Sequence, residues 1–437
     1  MNFFFQIFWF SLLVKLVIGY FLPLLPDEAY YWVWSNNLQL SYYDHPPMIA
    51  WLFRLGHFLE PYGHAVRFPA IIFLHLSLFT WRSIFNELKL PDTSLQRFLF
   101  LILLVPYLGI GSVILTPDLP LMFFWPLSLY FFIRITQNSK WSDYAWLGMS
   151  LGFGFLSKYH IVLFLICAVV YLSVEKKWPV IKWKYVGFTF IFGLIFSLPV
   201  IIWNVANDFQ SFTFQLNHGL KAESWDWIWP IEYLLGQFFM LLPPLTFYFY
   251  KARKTENLKP LYYFTVVVLF FFFVTSFKSS VEMNWTLMAF PSFFALVAAV
   301  NIPQKTMRLI WGVLLLLNLT LIGSMLSWHN AHGKIFEPFF FSSQKDKVET
   351  YKPLYGINYQ ISSSLWYVSK TPVYKIADAS RFDFFDTLGS KQPVEKVIYV
   401  FKEKTNEYPR WIYDLEPKME IVEEMERNYV IEKLEFK

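Results

Sequence analysis

The chain carries little charge for its length and almost no cysteine. Asp, Glu, Lys and Arg make up 16% of 437 residues, where a soluble domain carries about a quarter. The one cysteine, Cys167, lies inside an apolar run. That excludes an internal disulfide framework and a cysteine-based metal site. Gly/Ser-rich linkers, low-complexity tracts and internal repeats are absent. So are the common signatures of soluble enzymes: no G-x-x-x-x-G-K-[ST], no strand-to-helix G-x-G-x-x-G, no H-E-x-x-H and no G-x-S-x-G elbow. The first residues lack the charged n-region and small-residue cleavage site of a signal peptide, so 3–25 reads as a retained first span.

What fills the chain is apolar. Hydrophobic residues reach 56% and aromatic residues 22%, and apolar blocks recur up to about residue 327. Spans are expected at 3–25, 67–82, 98–115, 120–134, 144–157, 160–174, 185–203, 229–250, 260–277, 285–301 and 309–327. The net charge of +5 is not a nucleic-acid signal, because its meaning depends on where the cations fall relative to the bilayer. They fall in five loops. Arg82, Lys89 and Arg97 share one, and Arg134 and Lys140 the next; Lys176, Lys177, Lys182 and Lys184 follow. Lys251, Arg253, Lys254 and Lys259 form a fourth, and Lys305 and Arg308 the last. If all five are cytoplasmic, an even number of crossings separates each neighbouring pair.

That requirement decides the stretch 144–174, whose two flanks are both basic. It predicts two short helices with a turn at Ser157-Lys158-Tyr159. A helix over 144–157 covers roughly 21 Å of a core about 30 Å thick, so Lys158 is expected in a depression below the outer surface. By the same logic 98–134 is a hairpin with "LTPDLP" at its outer turn. The expected architecture is an all-α polytopic membrane domain over 1–327, with about eleven spans, its N-terminus cytoplasmic. Residues 328–437 form a small outer α/β domain. In that domain "NYQISSSLWYVS" reads as a helix, and "KVIYVFKE" and "YVIEKLEF" as strands.

This topology collects Asp27, Glu28, Asp44, His45, Arg54, Arg67, Asp118, Lys158, Asp208, His218, Lys278 and Glu282 on the outer side. Ionisable groups at membrane depth are costly and are functional suspects by default. Carboxylates and cations at one level suit acid–base chemistry beside an anionic group. The densest cluster is "PDEAYYWVWSNNLQLSYYDHPP", directly behind the first span. Plainer readings stand beside the functional one. Asp27 is placed as a helix cap, the Trp and Tyr residues as an interfacial belt, and "TPDLP" as a Pro-Asp turn. Lys158 has no acidic neighbour in sequence, so it wants an anion, and a lipid phosphate is the plentiful kind. Arg67 opens a span and would contact headgroups. Asp44-His45 beside Asp27-Glu28 is the one candidate for a divalent ion; otherwise no metal site is expected.

The stretch "DEAYYWVWSNNLQLSYYDHPPMIAW" resembles the first outer loop of bacterial membrane glycosyltransferases, in the superfamily of the dolichyl-phosphate-mannose protein mannosyltransferases and the lipid A aminoarabinose transferases. "RFPA" at 67–70, "LTPDLPLMFFW" at 115–125 and "LSKYH" at 156–160 match in order. "LPVIIWNVANDFQSFTFQLNHG" at 198–219, "VEMNW" at 281–285 and "YQISSSLWYVSKTPVY" at 359–374 complete the series. The resemblance implies the GT-C fold, a polyprenyl-phosphate sugar (undecaprenyl phosphate in bacteria) as donor, and an active site on the periplasmic side of the inner membrane. It carries the catalytic acid of the first loop to Asp27, with Glu28 beside it, and the second acidic position to Asp118. The donor phosphate would meet His45, Lys158 and Arg67. Asp44, Tyr43, Lys278 and Glu282 are the other groups expected to bind substrate. One departure matters: aminoarabinose transferases tend to carry Glu-Lys-Pro where this chain has Asp44-His45-Pro46, which favours a different branch.

The expected reaction is inverting transfer to lipid A or another envelope acceptor, with Asp27 as general base; a protein Ser/Thr acceptor is the alternative. A transporter or flippase would place charges inside spans and show repeats, and a non-catalytic scaffold would not gather acids from three separate loops on one side. The membrane and the two substrates are the expected partners, and nucleic acid is not.

Overall fold

The computed structural model describes residues 3–220, 226–327, 336–388 and 395–437. The side chain of His218 lies outside the described residues. Among the described residues, six segments are long and apolar enough to cross a membrane: Phe3–Phe21, His57–Glu87, Asp118–Asn138, Trp183–Ala206, Glu256–Thr275 and Gln304–Met325. Shorter apolar helices occupy Tyr159–Val174 and Met283–Ala299. The chain divides into two compact units. One comprises Met1–Ile18, Leu40–Ile49 and Phe68–Leu319, the other Gly19–Gln39, Ala50–Arg67 and Thr320–Lys437.

In the first unit, prolines set several helix ends. The helix Asp92–Leu104 stops at Val105, which precedes Pro106 and is extended, with ψ 118°, because proline disfavours the helical region for the residue before it. A one-turn 3₁₀ segment, Ile110–Val113, then leads to the helix Asp118–Asn138. The drafted span 229–250 is likewise two helices, Ile228–Met240 and Pro243–Ala252. They break at Leu242, whose φ of 60° precedes the Pro243-Pro244 pair. The drafted pair around Lys158 is present: a helix Trp141–Ser157, an extended Lys158, and a helix Leu163–Val174 entered through a 3₁₀ turn.

The helix Trp141–Ser157 packs closely on Trp183–Ala206 through Gly148 and Gly152. A Cβ on Gly148 would meet the Thr189 carbonyl oxygen at 2.3 Å, and one on Gly152 would meet Phe196 Cβ at 2.7 Å. Small residues four apart let membrane helices approach this closely, where dispersion rather than the hydrophobic effect holds them.

The five basic loops gather at one end of this unit. Asn257 donates to the Leu88 carbonyl at 2.9 Å, and Arg97 to the carbonyls of Ala298 and Val300 at 3.2 and 2.6 Å. Lys259 pairs with Glu175. The Lys182 amide donates to the Tyr144 hydroxyl at 2.8 Å, and that hydroxyl also contacts Ser139 at 3.0 Å. Loops far apart in sequence are therefore tied together, as the charge pattern requires.

In the second unit, residues 336–388 and 395–437 carry a four-stranded mixed sheet. Its strands are β1 (Leu354–Gly356), β2 (Val397–Glu403), β3 (Lys418–Glu424) and β4 (Tyr429–Glu435), in the order β1-β2-β4-β3. β1 runs parallel to β2, and the other pairs are antiparallel. Two of the strands and the helix Tyr359–Ser369 were expected from sequence. β3 escaped notice because it is a charged edge strand, with Lys418, Glu420, Glu423 and Glu424 along it, and such charge keeps an edge from pairing with other chains. Phe340, Ile361, Leu365, Ile398, Phe401 and Ile431 are among the buried residues of the core.

The helix Pro26–Asn36 of the first loop packs on Tyr359–Ser369. Tyr30 meets Tyr359 at 4.5 Å between ring centroids, and Trp32 meets Tyr367 at 5.2 Å. The Phe384 amide donates to the Tyr30 hydroxyl at 2.8 Å. Tyr30, Trp32 and Trp34 are at most 3% exposed, so these aromatics are core rather than an interfacial belt. Nearby, the buried Lys375 ammonium lies 2.8 Å from Asp383 and 2.5 Å from Asp386. Burial holds the Asp383 carboxyl up at about 6, against the lowering influence of Lys375.

Candidate functional site

In the first unit the acidic turn and the lysine turn meet. Asp118 opens its helix, where the N-terminal end of the macrodipole favours a carboxylate, and it is 2% exposed. Its Oδ1 accepts from Lys158 Nζ at 2.7 Å, and its Oδ2 from Asn284 Nδ2 at 3.1 Å. Lys158 is buried as well. The anion that the sequence could not supply is therefore Asp118, 40 residues away. An ammonium has three donors, so one bond to Asp118 leaves two for another anion. Asn284 was not singled out from sequence, although it lies inside the quoted "VEMNW".

An apolar groove of about 570 Å³ runs beside this cluster. Its lining includes Tyr159, His160, Ile166, Leu216, Phe272 and Trp285. Tyr159 and His160 directly follow Lys158, and Trp285 directly follows Asn284, so one end of the groove reaches the polar cluster. His160 lies within electrostatic reach of both Lys158 and His45. The loop holding His45 is fixed by the helix Gln210–Leu220. Gln215 donates to the Asp44 carbonyl at 2.5 Å and approaches His45 Nδ1 at 3.5 Å, while the Tyr43 and Phe214 rings lie 4.9 Å apart. Asp44 is buried and His45 half-buried. Gln215, like Asn284, is a neutral amide that no sequence signal marked. Lys278 and Glu282 are exposed, and Glu282 accepts from the Trp285 indole at 3.2 Å.

In the second unit Asp27 and Glu28 are adjacent but face different surroundings. Asp27, in the first turn of Pro26–Asn36, is exposed. Its Oδ1 accepts from Tyr359 at 3.2 Å and from Gln360 at 3.5 Å. Glu28 is fully buried and bidentate with Arg67, at 2.8 Å from Nε and 2.5 Å from Nη2. Glu28 also accepts from the Leu25 amide at 3.0 Å, closing the helix N-terminus. Arg67 further donates to the carbonyls of Gly19, Leu22 and Pro23. A guanidinium has five donors, and these contacts use all five, so Arg67 is held by the protein itself and not turned outward to a headgroup. Among the described residues, no three His, Cys, Asp or Glu side chains gather where they could hold a metal ion.

Residues 44–203 match the family model described as dolichyl-phosphate-mannose-protein mannosyltransferase. Over 195 residues the chain is 27% identical to the lipid A galacturonosyltransferase RgtD of Rhizobium johnstonii; that alignment covers 42% of this chain and 38% of the relative, well under two thirds of its length. The crystal structure of ArnT from Cupriavidus metallidurans bound to undecaprenyl phosphate superposes with a TM-score of 0.68 at 15% identity, covering 98% of this chain and 97% of that one. Its apo state gives 0.69 at 14% identity. This is a multi-pass membrane protein, mostly helical with a small C-terminal sheet, and it carries the GT-C fold seen in ArnT.

Proposed function

We propose that this chain is an integral membrane glycosyltransferase. It moves a sugar from a polyprenyl phosphate to lipid A or another cell-envelope acceptor. The observation that carries the reading is the Asp118–Lys158–Asn284 cluster at the end of an apolar groove: the groove suits a polyprenyl chain and the two remaining ammonium donors suit its phosphate. The fold likeness to a protein bound to undecaprenyl phosphate and the partial match to a lipid A sugar transferase support the same substrates. In this reading residues 1–327 are the membrane domain of the inner membrane, with the basic loops cytoplasmic. Residues 328–437 are periplasmic, and chemistry occurs on the periplasmic side.

In the reaction, an acceptor oxygen attacks the anomeric carbon, the bond from that carbon to the phosphate oxygen breaks, and the phosphate leaves with the electron pair. The sugar inverts. Asp27, solvent-facing and polarised by Tyr359 and Gln360, takes the acceptor's proton as general base. Lys158 and His45 stabilise charge on the departing phosphate. Asp118 aims Lys158 and, with Tyr43, Asp44, Lys278 and Glu282, bounds the substrate site. Glu28 and Arg67 act by positioning, because their donors and acceptors are spent on each other and on the chain. Transfer of radiolabelled sugar from a polyprenyl-phosphate donor in isolated membranes tests the activity. Mass spectrometry of lipid A and surface glycans with and without the gene tests the acceptor, and sugar found on protein Ser or Thr instead would replace the lipid assignment.

A further inference from the structure

The groove beside the Asp118–Lys158–Asn284 cluster is apolar, yet Tyr159, His160, Gln215, Thr275 and Trp285 bring polar side chains to its lining. All but His160 have hydrogen-bond partners within the protein. Tyr159 contacts Ser211 at 2.9 Å, and Gln215 donates to the Asp44 carbonyl at 2.5 Å. Thr275 donates to the Phe271 carbonyl at 3.0 Å, and Trp285 to Glu282 at 3.2 Å. Among the described residues His160 has no such partner. Its ring lies 5.3 Å from that of Phe272 and 5.8 Å from that of Trp285, where a phenylalanine would pack as well and bury no polar atom. Nδ1 is buried without a partner. Nε2 has none either but is not buried, so the open edge of the ring is the one on the groove. A neutral imidazole carries one N–H, and a buried N–H without an acceptor is the rarer defect. The proton therefore belongs on Nε2, where it faces whatever fills the groove.

We infer that His160 is a phosphate-binding residue, whose Nε2–H donates to an oxygen of the lipid phosphate from the wall of the groove. The inference rests on the proposed function for its ligand, a polyprenyl phosphate, whether sugar-loaded or spent. His160 lies two residues after Lys158 and within electrostatic reach of Lys158 and His45, the groups assigned to the departing phosphate. It stands where the apolar groove meets the polar cluster, which is where the head of a seated lipid belongs. The two contacts differ in kind. An ammonium is a point charge with rotatable donors, whereas an imidazole N–H fixed by ring packing offers one direction. Lys158 supplies charge and His160 supplies orientation. No bond to His160 forms or breaks and no proton leaves it; it holds the phosphate in place while the sugar departs. A lipid alcohol with the same chain gains nothing from this contact.

The test titrates undecaprenyl phosphate, and undecaprenol as the same chain without phosphate, into the purified full chain in detergent, read by microscale thermophoresis. His160→Phe keeps the packing on Phe272 and Trp285 and removes the donor. It is expected to weaken binding of undecaprenyl phosphate about tenfold, as loss of a hydrogen bond to a charged group does, and to leave undecaprenol binding unchanged. His160→Gln, which restores an N–H, is expected to recover most of that affinity. In sugar transfer His160→Phe is expected to raise donor KM and leave acceptor KM alone. Its melting temperature is expected at or above the parent's, because a buried nitrogen without a partner is gone. An affinity for undecaprenyl phosphate that changes less than twofold, or an equal loss for undecaprenol, overturns the proposal; the second result would make His160 a wall of the groove and nothing more. A chain that binds the phosphate lipid through His160 yet transfers no sugar would refute the proposed function and leave this contact standing. A parent that binds neither lipid would refute both.

Discussion

Lys158 Nζ lies 2.7 Å from Asp118 Oδ1, with both side chains at most 5% exposed. The two residues come from turns 40 positions apart, each at the junction of two helical segments. Removing one member of a buried ion pair leaves the other uncompensated and costs ~3–5 kcal/mol. Asp118→Asn and Lys158→Met are each expected to lower the detergent melting temperature, read by far-UV circular dichroism. The double variant is expected to melt above both singles while still failing to transfer sugar. Strictly additive losses would show that the pair is not coupled.

Asp27 calls for the opposite pattern. It is exposed and accepts only from Tyr359 and Gln360 among the contacts described for it, so Asp27→Asn should leave the melting temperature unchanged. Loss of a positioned base is expected to slow transfer by ~10²–10⁴. Wild-type turnover in membranes holding normal amounts of this variant would remove Asp27 from the mechanism.

Glu28 and Arg67 should fail by folding. Arg67→Lys keeps the charge but loses the bidentate fork and most of the carbonyl contacts. Both Arg67→Lys and Glu28→Gln are expected to reduce the amount of protein recovered from membranes, with a cost of ~3–5 kcal/mol where the pair is broken outright. Normal yield with selectively raised donor KM would instead give Arg67 a role on the phosphate.

The groove can be narrowed without touching the polar cluster. Ile166 lines it and is 41% exposed, so Ile166→Trp fits without disturbing the core. Donor KM is expected to rise for long polyprenyl chains and to stay near wild type for a short-chain analogue, with kcat retained for both. Equal effects on the two donors would place the lipid chain elsewhere.

The outer sheet unit has a titration of its own. Burial raises the Asp383 carboxyl to about 6, from a usual 3.8. Between those values the folded state holds a proton that the unfolded chain has released, so stability falls as pH rises through roughly 4 to 6 and levels off above. Asp383→Asn is expected to flatten that part of the melting curve against pH. A slope unchanged by the substitution would assign it to another group.

Much of the frame was legible because bilayer physics leaves few solutions. The parity of the basic loops alone required a break at Lys158, and the chain breaks there. The turn "LTPDLP" reads as lying between two spans, and the helix drafted from 120 begins two residues earlier, at Asp118. Partnership was not legible. Nothing within 40 residues of Lys158 announces Asp118, and the neutral amides Asn284 and Gln215 carry no charge pattern to mark them. The aromatics of the first loop misled for a related reason: Trp and Tyr suit an interface and a core equally, and only the partner helix, whose Tyr359 and Tyr367 meet Tyr30 and Trp32, reveals which. Arg67 looked like a headgroup contact because the carbonyls that saturate it belong to the chain's own helix end, invisible in any one-dimensional pattern.

The Gly148–Gly152 face and the extended Lys158 together make segment length a constraint stricter than composition. Between the loop at Lys140 and the ammonium, the helix Trp141–Ser157 works as a ruler locked against its neighbour. Each inserted residue would advance Lys158 by about 1.5 Å and swing it by about 100°, carrying it off Asp118, while most apolar exchanges would leave it in place. Outside Gly148 and Gly152, where a Cβ has no room, this stretch should therefore tolerate wide drift in letters and almost none in count.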